Sequence, residues 1–194
     1  MIKKMSENIT GWIVKDLDVS SKQTSAIRYG LESVIGASIE TAIVFLFAYL
    51  MGILEYAILL MIPSFFYRML ADGPHCTSYK RCFVFTFTIY LWFSLISKHI
   101  YIYSDFSSLL ILTLFSVLSL ISSYSNKLIK NISATVLYLS CVSTIFILCW
   151  VLNFHRELVF AGTLGLSLQA FISTPAGYKT VKAFDSLLKH LKIN

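Results

Sequence analysis

Six apolar stretches divide this chain, and they constrain its fold more than any other feature. They cover residues 31–51, 53–67, 83–97, 104–123, 132–152 and 157–174. About 20 apolar residues in a helix cross the hydrocarbon core of a bilayer, and most of these stretches approach that length. Only 13% of the 194 residues are charged, whereas soluble domains carry about 25%. The sequence therefore predicts an all-α, polytopic membrane protein with about six transmembrane helices, the second of them interrupted at Pro63.

Two amphipathic segments flank the apolar stretches. Residues 5–18 repeat apolar side chains at spacings of three and four, which predicts a helix. That helix either lies in the membrane interface or packs on the cytoplasmic face of the protein itself. The end of the chain repeats the pattern with a basic polar face, which predicts a cationic helix on the inner leaflet. Its charge either attracts an acidic partner or simply anchors the helix to anionic lipid.

No polar stretch is long enough to fold by itself, so residues 1–194 are predicted to form one membrane domain. Within it, residues 1–28 are an amphipathic segment at the cytoplasmic face, residues 29–174 are the transmembrane core, and residues 175–194 are a basic cytoplasmic tail. The core includes a polar loop at residues 68–82.

Charge predicts the orientation of the chain. If the N-terminus is cytoplasmic, 14 of the 16 Lys and Arg residues fall in inside segments, and only Lys98 and Arg156 fall outside. Such a bias is typical of cytoplasmic loops, and it favours six spans with both termini inside. It also explains the net charge of +6 without any nucleic-acid partner.

The polar loop at residues 68–82 holds the candidate chemistry. It contains His75, Cys76 and Cys82 beside a Gly-Pro break. An imidazole can take the proton of a thiol, and the thiolate can then attack a carbonyl. His75 and Cys82 are seven residues apart, which is roughly 10.5 Å along one straight helix and too far for a hydrogen bond. The backbone must therefore turn, so we predict a loop over residues 71–79 with Cys82 at the start of the third span, where the helix dipole favours a thiolate.

Several alternatives stay open at the level of residue types. An ordinary cytoplasmic loop with an interfacial histidine has the same composition, and Cys76 adjoins His75 and could itself be the nucleophile. A metal site on the one His and two Cys lacks a fourth ligand and a familiar spacing, so no metal or cofactor is expected. Asp72 could orient His75 as a third member. Glu32 could do the same, or it is simply interfacial.

Five residues in this loop resemble the AgrB family pattern of Arg, Gly, His and Cys, in which the His and Cys are seven residues apart. They are Arg68, Gly73, His75, Ser78 and Cys82. The element Tyr29-Gly30-Leu31-Glu32 before the first span is similar to that family as well. The resemblance extends to the layout of most of the chain, and it departs at Asp72 and Pro74, where the family often has a second small or polar residue.

The resemblance implies a membrane cysteine endopeptidase of bacterial quorum sensing. Such proteins cut a short AgrD-like pro-peptide near its C-terminal end and help close the remainder into a thiolactone. It further implies that Cys82 is the nucleophile, that His75 is the general base, and that Gly73 permits the turn. Arg68 would be structural or would hold a substrate carboxylate.

The partners implied are the pro-peptide and membrane lipid, and the small and Ser-rich helix faces are compatible with a homodimer. The expected location is the bacterial cell membrane, with the active site at the cytoplasmic face. A small transporter or peptide exporter without covalent chemistry is the competing function. Its weakness is that Glu40 is the only charged residue well inside a predicted span and that no internal repeat is evident. A third candidate function is an inert scaffold, which would tolerate Cys82→Ala.

Overall fold

The computed structural model describes residues 2–15, 17 and 19–191, and the regular structure within these ranges is entirely helical. One short 3₁₀ turn, Tyr101–Tyr103, precedes the fifth helix. The eight α-helices are α1 (Ile2–Val14), α2 (Ser21–Leu50), α3 (Leu54–Ala71), α4 (Tyr79–Ile100), α5 (Phe106–Ser125), α6 (Ile132–Val151), α7 (Arg156–Ile172) and α8 (Pro175–His190).

The predicted fold class is confirmed. Within the described ranges, five helices, α2 to α6, are each long and apolar enough to cross a membrane, and α7 with α8 makes a sixth candidate. The axes of α7 and α8 diverge by 85°, so this pair is a broken span or a re-entrant turn. Thr174 begins α8 by accepting a hydrogen bond from the Gly177 N–H at 3.1 Å, and Pro175 occupies its first turn, where a missing N–H costs nothing.

The prediction that Pro63 interrupts the second span is wrong, because α3 continues through it to Ala71. A proline removes one backbone donor from a helix, and within a membrane neighbouring groups can compensate. Here the Tyr138 hydroxyl donates to the Pro63 carbonyl at 3.0 Å. The Ser64 hydroxyl lies 2.7 Å from the Leu60 carbonyl oxygen. These two bonds add polar contacts around the proline, but neither of them reaches the Leu59 carbonyl, which is the group that loses its donor.

The chain divides into two compact units, Met1–Leu46 and Phe47–Asn194. In the first unit the Ser6 hydroxyl donates to Glu32 at 3.2 Å, and Ser6 and Thr10 on α1 are buried. The apolar residues of α1 are exposed instead, with Trp12 79% accessible. An exposed apolar face fits the predicted interfacial helix. The grouping of all 194 residues into one membrane domain stays a prediction.

Close contact between α3 and α7 organises the second unit. A Cβ added to Gly165 of α7 would lie 2.1 Å from the Leu60 carbonyl oxygen of α3. The Ser64 hydroxyl also reaches the Gly165 carbonyl at 2.8 Å. Small residues allow two helix backbones to approach in this way, and the short distance lets serine bridge them. The α3–α7 pair therefore forms a rigid support for the loop that follows α3.

Three connections lie at one end of the second unit. The Lys130 N–H, in the α5–α6 connection, donates to the Ala71 carbonyl at the end of α3 at 3.4 Å. The Ser173 hydroxyl, between α7 and α8, donates to the Asp72 carbonyl at 3.4 Å. The α3–α4 loop, the α5–α6 connection and the α7–α8 junction are thus neighbours. At other helix ends, Lys98 donates to the Gly52 carbonyl at 3.0 Å.

Candidate active site

The predicted dyad has His75 in the α3–α4 loop and Cys82 on α4. Helix α3 ends at Ala71 and α4 begins at Tyr79, which confirms the predicted loop over residues 71–79. Cys82 is the fourth residue of α4, and its N–H makes one of the first helical hydrogen bonds, to the Ser78 carbonyl at 3.0 Å. Ser78 occupies the N-cap through its backbone, and its side chain makes no capping hydrogen bond.

The turn out of α3 depends on an unusual backbone conformation at Asp72, with φ 68° and ψ −169°. This region is essentially restricted to glycine, and other residues adopt it at a cost of about 1–3 kcal/mol. The Asp72 carboxylate accepts a hydrogen bond from the Gly73 N–H at 2.9 Å. Gly73 itself is absent from the residues with positive φ. The glycine-like conformation therefore lies one residue before the position that the resemblance implies.

Arg68 holds the His75 ring. Its Nη2 atom donates to the Pro74 carbonyl at 3.0 Å and lies 3.1 Å from His75 Nδ1. A guanidinium has no acceptor, so Nδ1 must be the acceptor, and in the neutral ring the proton is then on Nε2. Partial desolvation of the ring lowers the pKa of His75, and the Arg68 charge lowers it further, while Asp72 opposes them. The imidazole is consequently neutral near pH 7.

The two thiols of the loop are in different environments. The pKa of Cys76 is raised to about 12, chiefly by burial and also by the Cys82 thiol, by the Asp185 charge and by a hydrogen bond to Cys82, while Arg81 acts in the opposite direction. Cys76 also packs against the apolar cluster that contains Ile172. Both cysteines are free thiols, and both are half-buried. A thiol with so high a pKa stays protonated at neutral pH and is a poor nucleophile.

The structure brings some of the predicted site residues together and leaves others apart. Arg68, Pro74 and His75 form one contact group, and Cys82 lies beside Cys76. Across the described residues, no hydrogen bond joins the His75 ring to the Cys82 thiol or to Asp72. The Asp72 carboxylate binds the Gly73 N–H instead. The proposed dyad and its supporting residues therefore stay predictions.

A buried ionic network beside the loop was not identified from the sequence. Asp185 of α8 accepts from the Thr77 N–H at 3.3 Å and from the Thr77 hydroxyl at 2.8 Å. Arg81 Nε lies 3.1 Å from Asp185 Oδ1, although the Nε–H has no acceptor in line with it. Arg81 Nη2 also donates to the Thr77 hydroxyl at 2.6 Å. The one available signal was that Asp185 is the only acidic residue in an otherwise basic helix.

A polar surface of α7 lies under the loop. A Cβ on Gly73 would lie 3.7 Å from Gln169 Nε2 and 3.9 Å from the Ser173 hydroxyl, which is ordinary contact. Gln169 is only 1% exposed, and its Nε2 has no acceptor within the described part of the chain. Buried amide groups of this kind normally have a partner. In those same residues no group of three His, Cys, Asp or Glu side chains is arranged to hold a metal ion.

The fold and this loop define a multi-pass helical membrane protein with a polar Cys–His loop at one end of its second unit. The chain belongs to the AgrB family, because the family model described as accessory gene regulator B matches residues 6–173. Comparisons with curated proteins and with solved structures gave no match. Family membership supports a role in processing a quorum-sensing pro-peptide of the AgrD type.

Proposed function

We propose that this protein is a membrane cysteine endopeptidase that removes the C-terminal part of an AgrD-like pro-peptide through a thioester on Cys82. It then promotes closure of the remaining peptide into a thiolactone. The observation that carries the proposal is that residues 72–78 form a loop, so His75 and Cys82 are not held apart on one helix. Family membership supplies the substrate class.

The environments of the two thiols support Cys82 as the nucleophile. Cys76 is held as a thiol by a pKa raised to about 12, whereas Cys82 is at the start of α4. The N-terminal end of a helix carries a partial positive charge, which stabilises an adjacent thiolate. Cys76 then serves as a packing residue, and Cys82 carries the acyl group.

The reaction follows from thiol chemistry. The Cys82 thiolate attacks the scissile carbonyl, and the proton that it gave to His75 passes to the leaving amine. The C–N bond breaks, the C-terminal fragment leaves, and the rest of the peptide stays on Cys82 as a thioester. A cysteine thiol within the bound peptide then attacks this thioester and releases the Cys82 thiol. One thioester replaces another, so the ring forms without ATP as long as water is excluded.

Arg68 gives this mechanism a substrate-dependent step. In the free protein it occupies Nδ1 of His75, which is the nitrogen with the available lone pair. A carboxylate of the bound peptide would bind the guanidinium in a bidentate pair that is stronger than the bond to a neutral ring. Movement of Arg68 to the carboxylate would free Nδ1 to accept the Cys82 proton. His75 would thus become a base when substrate is bound.

The charges at this end of the second unit suit such a substrate. Arg68 and Lys80 lie beside the loop, and the neighbouring α5–α6 connection carries Lys127 and Lys130. A basic surface attracts an acidic peptide segment. It also fits a cytoplasmic location for the loop and for both termini. We therefore propose that the pro-peptide is cut at the inner face of the membrane, where lipid helps to exclude water.

Co-expression with a candidate pro-peptide tests the function. The peptide should have an amphipathic leader, an internal cysteine and an acidic tail, and its products would be identified by mass spectrometry beside the wild type, Cys82→Ala, His75→Ala and Cys76→Ala. We expect the wild type and Cys76→Ala to release a product smaller by the C-terminal fragment. Cys82→Ala and His75→Ala should not. A hydroxylamine-sensitive adduct on the wild type would identify the thioester.

Two results would change the assignment. Cleavage by Cys82→Ala together with loss of cleavage in Cys76→Ala would move the nucleophile to Cys76. Movement of an uncut peptide across the membrane by wild type and by both variants would replace the protease with an exporter.

A further inference from the structure

Helix α8 has a structural position that membrane binding does not explain. A cationic helix that only adhered to anionic lipid would be weakened by an acidic residue. Asp185 is the only acid among the 16 residues of α8, and its side chain is only 13% exposed. Val181 and Leu188, one turn to either side, are buried at 1% and 5% exposure. This face of α8 therefore packs on the protein.

The partners of Asp185 lie between the two residues of the proposed catalytic pair. Thr77, which both carboxylate oxygens contact, is two residues after His75. Arg81, which forms the ion pair, immediately precedes Cys82. One carboxylate thus fixes two points of the segment that runs from His75 to Cys82. Arg81 also donates a hydrogen bond to the Thr77 hydroxyl, so each of the three residues contacts the other two.

The two charged side chains of this network are largely buried, which restricts how they can be arranged. The Arg81 and Asp185 side chains are 9% and 13% exposed, and a buried charge that loses its partner is strongly destabilising. Apolar contacts hold the same elements together, since the Phe85 ring of α4 and the Phe184 ring of α8 pack edge to face with centroids 5.1 Å apart. The network therefore has one favourable arrangement.

We infer that Asp185 is a positioning residue of the active site, because this one side chain of α8 holds the His75 loop in register with Cys82. This inference rests on the proposed function. Catalytic groups that move by about 1 Å can lose about 100-fold in rate. Loss of the carboxylate should therefore lower the rate of processing by about that factor while the substrate still binds.

The test compares five variants in lipid nanodiscs with a synthetic candidate pro-peptide. Asp185→Asn removes the charge, and Thr77→Val removes the hydroxyl that links loop to carboxylate. Arg81→Met/Asp185→Leu removes both charges together, so that no buried charge is left unpaired and α8 can stay packed. Lys182→Gln, an exposed position on the same helix, is the matched control. For each variant, kcat and KM are measured, together with hydrogen exchange across residues 72–82 and the thermal unfolding midpoint.

We expect Asp185→Asn, Thr77→Val and the double variant to lose kcat with little change in KM, by about 100-fold for those that lack the carboxylate. In these three variants the backbone amide hydrogen of residue 77 should also exchange with solvent faster, whereas Lys182→Gln should behave as the wild type. The double variant decides between positioning and folding, because it should unfold near the wild-type temperature and still be slow. Asp185→Glu, which keeps the charge, should recover part of the lost rate.

The inference would be overturned by wild-type kcat in the folded double variant, or by unchanged exchange of the loop in Asp185→Asn. A wild type that fails to cut any candidate pro-peptide contradicts the proposed function instead. In that case the exchange measurement still decides whether Asp185 holds the loop.

Discussion

The low reactivity that we expect of the Cys76 thiol can be measured directly. Burial, neighbouring charge and a hydrogen bond to Cys82 raise the pKa of Cys76 from 9.0 to about 12. At pH 7.5 the thiolate fraction of Cys76 is then about 3 × 10⁻⁵, whereas an unperturbed thiol of pKa 9.0 has about 3 × 10⁻². The population of the reactive form is therefore lower by about a factor of 1000.

A more basic thiolate is also a better nucleophile, and this offsets part of the loss. With a Brønsted coefficient of about 0.45, an increase of three pKa units raises the intrinsic reactivity about 20-fold. Cys76 should thus react about 50-fold more slowly than a free model thiol at pH 7.5, before any steric hindrance. Because Cys76 becomes a thiolate only at high pH, its reaction rate should rise tenfold per pH unit to beyond pH 10.

The assay is a timed reaction of the wild-type protein in nanodiscs with methyl methanethiosulfonate, followed by digestion and site-resolved mass spectrometry. N-acetylcysteine in the same tube is the reference thiol. The wild type is used because Cys82 itself contributes to the pKa of Cys76. Labelling of Cys76 as fast as the reference, or a rate plateau below pH 9, would refute the argument and restore Cys76 as a candidate nucleophile.

Three further changes test the packing and electrostatics. Gly165→Ala should lower the unfolding midpoint in detergent by the equivalent of about 1–3 kcal/mol, because the added Cβ would lie 2.1 Å from the backbone of α3. Gly30→Ala is the control, since a Cβ there would meet no atom within 4 Å and should not lower the midpoint. Equal midpoints for the two variants would contradict the close α3–α7 contact. Asp72→Gly should be more stable than Asp72→Ala by about 1–2 kcal/mol, because only glycine adopts that backbone region without strain, and denaturant unfolding of the pair decides it. Arg68→Gln should raise the pKa of His75, because a nearby positive charge disfavours the imidazolium. Site-resolved acylation by diethyl pyrocarbonate across pH 5–8 would show the shift, and an unchanged midpoint would exclude an effect of Arg68.

The arrangement of spans was predictable because the bilayer imposes a length and a polarity that can be counted. The apolar stretches became α2 to α7, and the loop between α3 and α4 was expected because Gly73-Pro74 cannot continue a helix. Pro63 was the exception. Whether a proline ends a helix depends on tertiary contacts around it, and here Tyr138, 75 residues away, binds the Pro63 carbonyl.

The chemistry of the site was predictable only as residue types. His75, Cys76 and Cys82 could be named from the sequence, but the contrast between the thiols depends on burial and on charges brought from α8. Arg68 could be named, but its hold on His75 Nδ1 depends on the path of the chain through Asp72 to Pro74.

By itself the sequence determined a helical membrane protein with a polar Cys–His loop, because hydrophobic length and helix-breaking residues act locally along the chain. Only the tertiary structure decided which groups surround that loop. Asp185 lies 108 residues from Thr77, and no local pattern predicts a contact over such a separation. It forms because a buried Arg81 needs a counter-charge, and the 85° bend between α7 and α8 brings one to it.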